Sequence, residues 1–374
     1  MPQAVRILAV FVLLASAASP ASLAATAEGT PPGAEDAPAA EPAPAPAPGG
    51  PEAIEAARSA AYERFRSVFE AGRYAEAVPL AREVQRLTEA LDPHHEDLPT
   101  AWNNLGVAQL RAGDPRAAVE SFTKALDILE GTRGIASRRL IAPLAGLGAA
   151  YAALDRPLDA AERLERAVAV SRRAAGLFNL EQLDLMDALV RAYSALGYPE
   201  GIVRERRFAL QIVEKRYGYG DPRSLPRLTQ LAEWYEATGR YIPARALYKR
   251  MLDIASRESG GRNTAAVTAL LSIARTHRLQ FAEDPESLAQ AAEAGPNLGD
   301  PVTTLQGTRV NPGAPLPTQD LQRVRLDPEG ARALTEALRL LETSPDPPAA
   351  LLSKALLEQA DWLMTAGQTD EALQ

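Results

Sequence analysis

Small and apolar residues recur along this chain at helical spacing, and the recurrence itself has a fixed step. Trp102, Leu105, Gly106 and Gln109 share one face of a helix. Gly113-Asp114-Pro115 ends that helix, because glycine permits the turn and proline cannot continue it. A second helix follows, with Ala118, Phe122, Ala125 and Leu126 on one side. One step later Leu144, Leu147, Gly148 and Tyr151 rebuild the first face, and Ala160, Leu164 and Ala167 the second. Met186, Leu189, Val190 and Tyr193, with Ile202 and Ala209, do so again. So do Leu228, Leu231, Ala232 and Tyr235, with Ala244, Tyr248 and Met251. A looser unit built on Phe65, Val68, Gly72, Ala77 and Val84 precedes these, and another starts at Leu270, Ile273 and Ala274. Gly106, Gly148, Val190, Ala232 and Ala274 are spaced 42 apart, as are Gly113, Asp155, Gly197 and Gly239. A fixed step of this size predicts an all-α array of antiparallel helix pairs, in which each unit buries its apolar face on the next.

The spacings W-x2-L-G and A-x3-F resemble the tetratricopeptide repeat, with Gln109 where that family usually has Tyr. The simple form of that repeat is about 34 residues long. The longer step, together with Leu91-Asp92-Pro93-His94-His95-Glu96-Asp97 and Ala101-Trp102-Asn103-Asn104-Leu105-Gly106, resembles the repeats of the kinesin light chain family. Tyr217 to Pro222 resembles the same inter-repeat loop. The likeness covers roughly residues 60 to 280, and it departs where Asn-Asn is replaced by Ala145-Gly146, Asp187-Ala188 and Thr229-Gln230. It implies a right-handed superhelical solenoid, and a peptide or protein ligand held in its concave groove.

Five segments are expected. Residues 1–27 read as a signal peptide: Arg6, an apolar run from Ile7 to Ala15, and a cleavage site at Ala25-Thr26-Ala27. An uncleaved anchor is the alternative. Residues 28–51, rich in Ala and Pro, form an extended linker. The array occupies 52–281. At Phe281 the turn glycine is missing, and the next recognisable second helix runs from Glu329 to Glu342 with Ala337 and Leu338 in register. Residues 282–327 are thus an irregular insertion or a decayed repeat; proline density opposes a first helix there and favours the insertion. A short helix near 285–294 and strand character in Val302–Val310 and Gln322–Leu326 are expected within it. Residues 328–374 hold further repeat helices, ending in mid-repeat at Gln374.

Little in the chain resembles catalytic machinery. It has no cysteine, which removes disulfides, thiolate metal sites and a lipidated cleavage-site cysteine. No glycine-rich phosphate loop follows a strand, and there is no G-x-S-x-G elbow. His94, His95, Glu96 and Asp97 are the densest set of metal-type ligands, but the one other histidine, His277, is far along the chain. The net charge of −8, or −9 once Arg6 leaves with the signal peptide, argues against nucleic acid. The runs Arg138-Arg139, Arg172-Arg173 and Arg204-Glu205-Arg206-Arg207 read as solvated helix faces pairing with nearby glutamates. No catalytic residue, metal or cofactor is expected.

The tetratricopeptide resemblance implies that the first helices line the groove, through three inward positions each. These are Asn103, Val107 and Leu110; Ala145, Ala149 and Ala152; Asp187, Arg191 and Ser194; Thr229, Glu233 and Glu236; and Leu271, Arg275 and Arg278. The surface therefore starts small and apolar and ends charged. The Asn103 amide can donate to and accept from a peptide backbone. Arg191, Arg275 and Arg278 suit acidic partner side chains. The chain reads as an exported scaffold of the periplasm or exterior that recruits a protein or peptide in the envelope of a bacterium. Two alternatives stand beside it: a regulatory region of an enzyme whose catalytic domain lies beyond residue 374, and self-association through the terminal repeat.

Overall fold

A computed structural model describes residues 50–259, 264–283, 328–344 and 347–365. The signal peptide, almost all of the linker, the helix and strand segments expected within 284–327, and the helix start at Glu371 lie outside the described residues. The helices are α1 Pro51–Glu70, α2 Tyr74–Leu91, α3 Leu98–Arg111, α4 Pro115–Arg133, α5 Ile141–Ala153, α6 Pro157–Ala175, α7 Leu183–Ala195, α8 Pro199–Tyr217, α9 Leu225–Ala237, α10 Tyr241–Ser259, α11 Thr264–Glu283, α12 Pro328–Glu342 and α13 Ala349–Thr365. Among the described residues there is no strand, and the fold is an all-α helical-repeat solenoid. It divides into two compact units, one ending at Glu205 and the other beginning at Arg206, inside α8. In the first, consecutive helices from α1 through α7 pack on one another. In the second, α9 packs on α10, α10 on α11, and α11 on both α12 and α13.

The hairpin turns follow from the glycine series. Gly113, Gly197 and Gly239 have φ of 88°, 62° and 69°, and Asp155 at the same register has 55°. This left-handed residue lets the next N–H reach back to the helix: Asp114 N donates to Gln109 O at 2.9 Å, Arg156 N to Tyr151 O at 2.9 Å, and Arg240 N to Tyr235 O at 2.8 Å. Pro115, Pro157 and Pro199 then open the second helices, where the missing N–H costs nothing. Inside the first unit, Phe122 is fully buried, and its ring fills the space left by two glycines. A Cβ on Gly106 would lie 2.8 Å from the ring, and one on Gly146 2.5 Å. Leu164 occupies the matching place against Gly148.

A further series in the same step marks the loops between repeats. Gly134, Gly176 and Gly218 take φ of 77°, 89° and 105° at the ends of α4, α6 and α8. Three residues later Ser137, Asn179 and Asp221 cap a single 3-10 turn: Ser137 Oγ accepts from Arg139 N, Asn179 Oδ1 from Gln182 N, and Asp221 Oδ1 from Arg223 N. The turn buries Leu140, Gln182 and Ser224 completely. The polar members are satisfied locally: Gln182 Nε2 donates to Leu177 O at 2.7 Å, and Ser224 Oγ to Asp221 O at 2.6 Å.

The Asp221 cap carries a pH signature. Hydrogen bonds from the Arg223 side chain and then from its backbone hold the Asp221 carboxyl down at about 2, below its ordinary 3.8. A carboxylate depressed in the folded state stabilises it above the ordinary value, and that contribution is lost as pH falls from about 4 to about 2. Asp221→Asn keeps the cap, as Asn179 does one repeat earlier, and removes the titration. Thermal melts at pH 5 and pH 2.5 should therefore fall further apart in the wild type than in Asp221→Asn.

Candidate partner-binding surface

In the first unit α3, α5 and α7 lie side by side. Along each of them exposure rises from the first inward position to the third. Asn103 is 4% exposed and Val107 equally buried, while Leu110 is half-buried. Ala145 is buried, Ala149 half-buried and Ala152 exposed. Asp187 is half-buried, Arg191 and Ser194 exposed. The floor near the helix starts is therefore closed by neighbouring repeats, and the accessible strip runs near the helix ends. Ser194 Oγ returns its proton to Val190 O at 2.8 Å, so its oxygen faces outward as an acceptor. One atom of the floor stands out. Asn103 Oδ1 is buried and has no hydrogen-bond partner, which is costly unless something supplies a donor.

Behind this strip, Gln109 and Tyr193, which share one register, join first helices to adjacent second helices. Gln109 Oε1 accepts from Ser121 Oγ at 2.6 Å. The Tyr193 hydroxyl donates to Glu165 at 2.6 Å and accepts from Arg204 at 3.0 Å. Burial, then that glutamate, holds the Tyr193 hydroxyl above its ordinary range, so it stays a neutral donor. Glu205, nearly buried, is met by Arg204 at 2.9 Å and Arg172 at 3.5 Å.

In the second unit Thr229 is half-buried and Glu233 exposed. The remaining charged positions are occupied from within. Glu236 accepts from Arg275 Nε at 2.5 Å and from Tyr248 Oη at 2.9 Å. Arg278 forms a two-pronged bond to Glu358 of α13, at 2.7 and 3.0 Å, and reaches Asp361 at 3.0 Å. Leu271 is buried. Arg275 and Arg278 thus act first as links between helices of the array, and what remains open to an acidic ligand in this unit is limited by those bonds.

Several arginines of the basic runs have partners more distant than helix neighbours. Arg138 pairs with Glu181 and Arg172 with Glu205, 43 and 33 residues away. Arg206 donates to Gln230 O, and Arg207 Nε to the Tyr235 hydroxyl at 2.8 Å. They join repeats as well as solvating them. The histidine pair has a structural account too. His95 stands 42 residues before Ser137 and does the same work: its Nδ1 accepts from Asp97 N at 3.1 Å. The His94 N–H donates to Asp92 at 2.8 Å. No group of three or more candidate ligands is placed to hold a metal ion among the described residues, nor is any described helix long and apolar enough to cross a membrane.

Residues 66–131 match the tetratricopeptide repeat family. The 42-residue step of that segment recurs in the residues that follow it, so the described array is built of tetratricopeptide-type repeats. No curated protein matches the sequence. Among solved structures, the nearly identical TPR-like repeats attributed to a kinesin light chain of Podosopora anserina are 24% identical, over 56% of this chain and 99% of that one, with a TM-score of 0.48. BtubC of P. vanneervenii is 18% identical over 70% of this chain and 99% of its own, with a TM-score of 0.42. Pseudomonas aeruginosa pilF is 18% identical over 64% and 98%, with a TM-score of 0.39.

Proposed function

We propose that this tetratricopeptide-repeat protein is an exported, non-catalytic scaffold that holds an extended segment of a protein partner along the first helices of its repeats. The observation that carries this reading is the buried, unpaired Oδ1 of Asn103, at the foot of a strip that opens outward through Leu110, Ala149 and Ala152. A backbone N–H of an extended ligand is the donor that this oxygen lacks, and reaching it requires a small outward shift of the Asn103 side chain. The alanines on α5 leave the ligand backbone room to lie close, and the exposed Arg191 offers a carboxylate its charge at one side of the strip. Export rests on the N-terminal pattern of Arg6, the apolar run and Ala25-Thr26-Ala27, and it sets the partner in the periplasm or outside the cell. Charged contacts in the second unit are fewer than the sequence suggests, because Arg275 and Arg278 are already bonded.

A photo-cross-linking side chain placed at Ala149 should capture one partner from an envelope extract, and the same group at the exposed Glu120 of α4 should not. With that partner in hand, Asn103→Ala combined with Arg191→Ala should weaken binding at least tenfold while leaving the melting temperature within a few degrees. Equal capture at both sites, or unchanged affinity in the double variant, would sink the groove assignment.

A further inference from the structure

A second surface lies on the loop edge of the repeats, away from the strip formed by the first helices. In the first unit a cavity of about 400 Å³ is lined by Ile135, Arg166, Ala169, Val170 and Arg173. Ile135, just after the loop glycine Gly134, is 69% exposed. Arg166 is paired with Glu130 of α4, and Arg173 is exposed with no ion pair among the described residues. The surroundings are basic in an acidic chain: residues 130–140 and 162–182 carry seven arginines against four glutamates, while the whole chain is at −8.

The second unit contains the same constellation two repeats later, with one residue changed. Glu214, Tyr219, Arg250 and Arg257 stand 84 residues after Glu130, Ile135, Arg166 and Arg173. Glu214 pairs with Arg250 at 2.5 Å, as Glu130 pairs with Arg166. Here, however, the Tyr219 ring lies on the Arg250 guanidinium, 3.4 Å from centroid to Cζ, and the Tyr219 carbonyl accepts from the same arginine. A ring therefore covers this arginine in the second unit. Isoleucine at the matching position of the first unit supplies no ring.

We propose that the cavity beside Ile135 is a docking site for an aromatic side chain of a protein partner, stacked on Arg166 as Tyr219 is stacked on Arg250, with an adjacent partner carboxylate facing Arg173. The shape favours a peptide over a lipid surface, since a recess of this volume takes a side chain and guanidinium–ring stacking is the contact the chain already makes elsewhere.

The test uses the full chain and a fluorescein-labelled peptide, Asp-Glu-Tyr-Glu-Asp, read by fluorescence anisotropy beside the same peptide with Ala for Tyr. Wild type should bind the tyrosine peptide at least tenfold more tightly than the alanine peptide. Ile135→Tyr, which supplies the ring from within, and Arg173→Glu should each lose at least tenfold, while Asn103→Ala should not. Position 135 is exposed, so a melt confirming that Ile135→Tyr folds normally is an adequate control. Equal binding of both peptides, full binding by Ile135→Tyr, or loss in Asn103→Ala would overturn the proposal. So would failure to bind the peptide alongside capture of vesicles with 30% phosphatidylglycerol that is abolished by Arg173→Glu, since the edge would then be a membrane surface.

Discussion

Phe122→Ala is expected to remove about 3–5 kcal/mol of unfolding free energy, the range for deleting a fully buried ring whose cavity cannot collapse. The ring is 0% exposed and wedged between the backbones of Gly106 on α3 and Gly146 on α5. It joins two repeats, so its loss should lower the cooperativity of the first unit as well as its midpoint. The two glycines make the mechanism testable. Gly146→Ala in the wild type places a Cβ 2.5 Å from the ring, which cannot retreat because Gly106 stands behind it, and overpacking of this kind costs about 1–3 kcal/mol. In the Phe122→Ala background the same substitution should cost almost nothing beyond its own backbone effect. Urea melts of the four proteins give the coupling directly. A strictly additive cycle would show that the ring is not what excludes the methyl group.

Arg278→Ala is expected to cost about 3 kcal/mol, because it strands the carboxylate of Glu358, only 9% exposed at its side chain, without its two-pronged partner. The loss should be local: α13 touches α11 through this pair, and amide exchange should accelerate in α13 well before α9 and α10 respond. Glu358→Ala should do nearly the same, and Arg278→Leu with Glu358→Leu should recover most of the stability. This also separates two roles for Arg278. As a ligand contact its removal would lower affinity at constant stability; as a helix link it lowers stability first.

Much of this was legible in the sequence because the periodic positions admit few residue types. Only small residues allow the close helix crossings at Gly106 and Gly148, and a left-handed turn selects glycine or, at Asp155, its nearest polar substitute. The inter-repeat loop carries an equally regular device, the glycine of Gly134, Gly176 and Gly218 followed by a cap and a buried turn residue. It was less visible because its cap is chemically interchangeable. Histidine, serine, asparagine and aspartate all accept one N–H, and the buried position drifts from Leu140 to Gln182 to Ser224. The same interchangeability accounts for His95, within the densest set of metal-type ligands: it is a cap written in histidine. The charged end of the groove resisted reading on other grounds. Glu236–Arg275 and Arg278–Glu358 join residues 39 and 80 apart, brought together only by the stacking of helices.

The packing of α12 on α11 has a consequence for how such a chain can change. Glu283 and Pro328 are separated by 44 residues, yet the two helices meet. Closure entropy rises only with the logarithm of connector length, so passing from a turn of a few residues to one ten times longer costs about 2 kcal/mol. A buried face such as that of Ala333, Leu334, Ala337 and Leu341 can offset a cost of that size. Chain length between α11 and α12 is therefore weakly constrained: removing about a dozen of the 44 intervening residues should change stability by well under ~1 kcal/mol of closure entropy, provided α11 and α12 still meet.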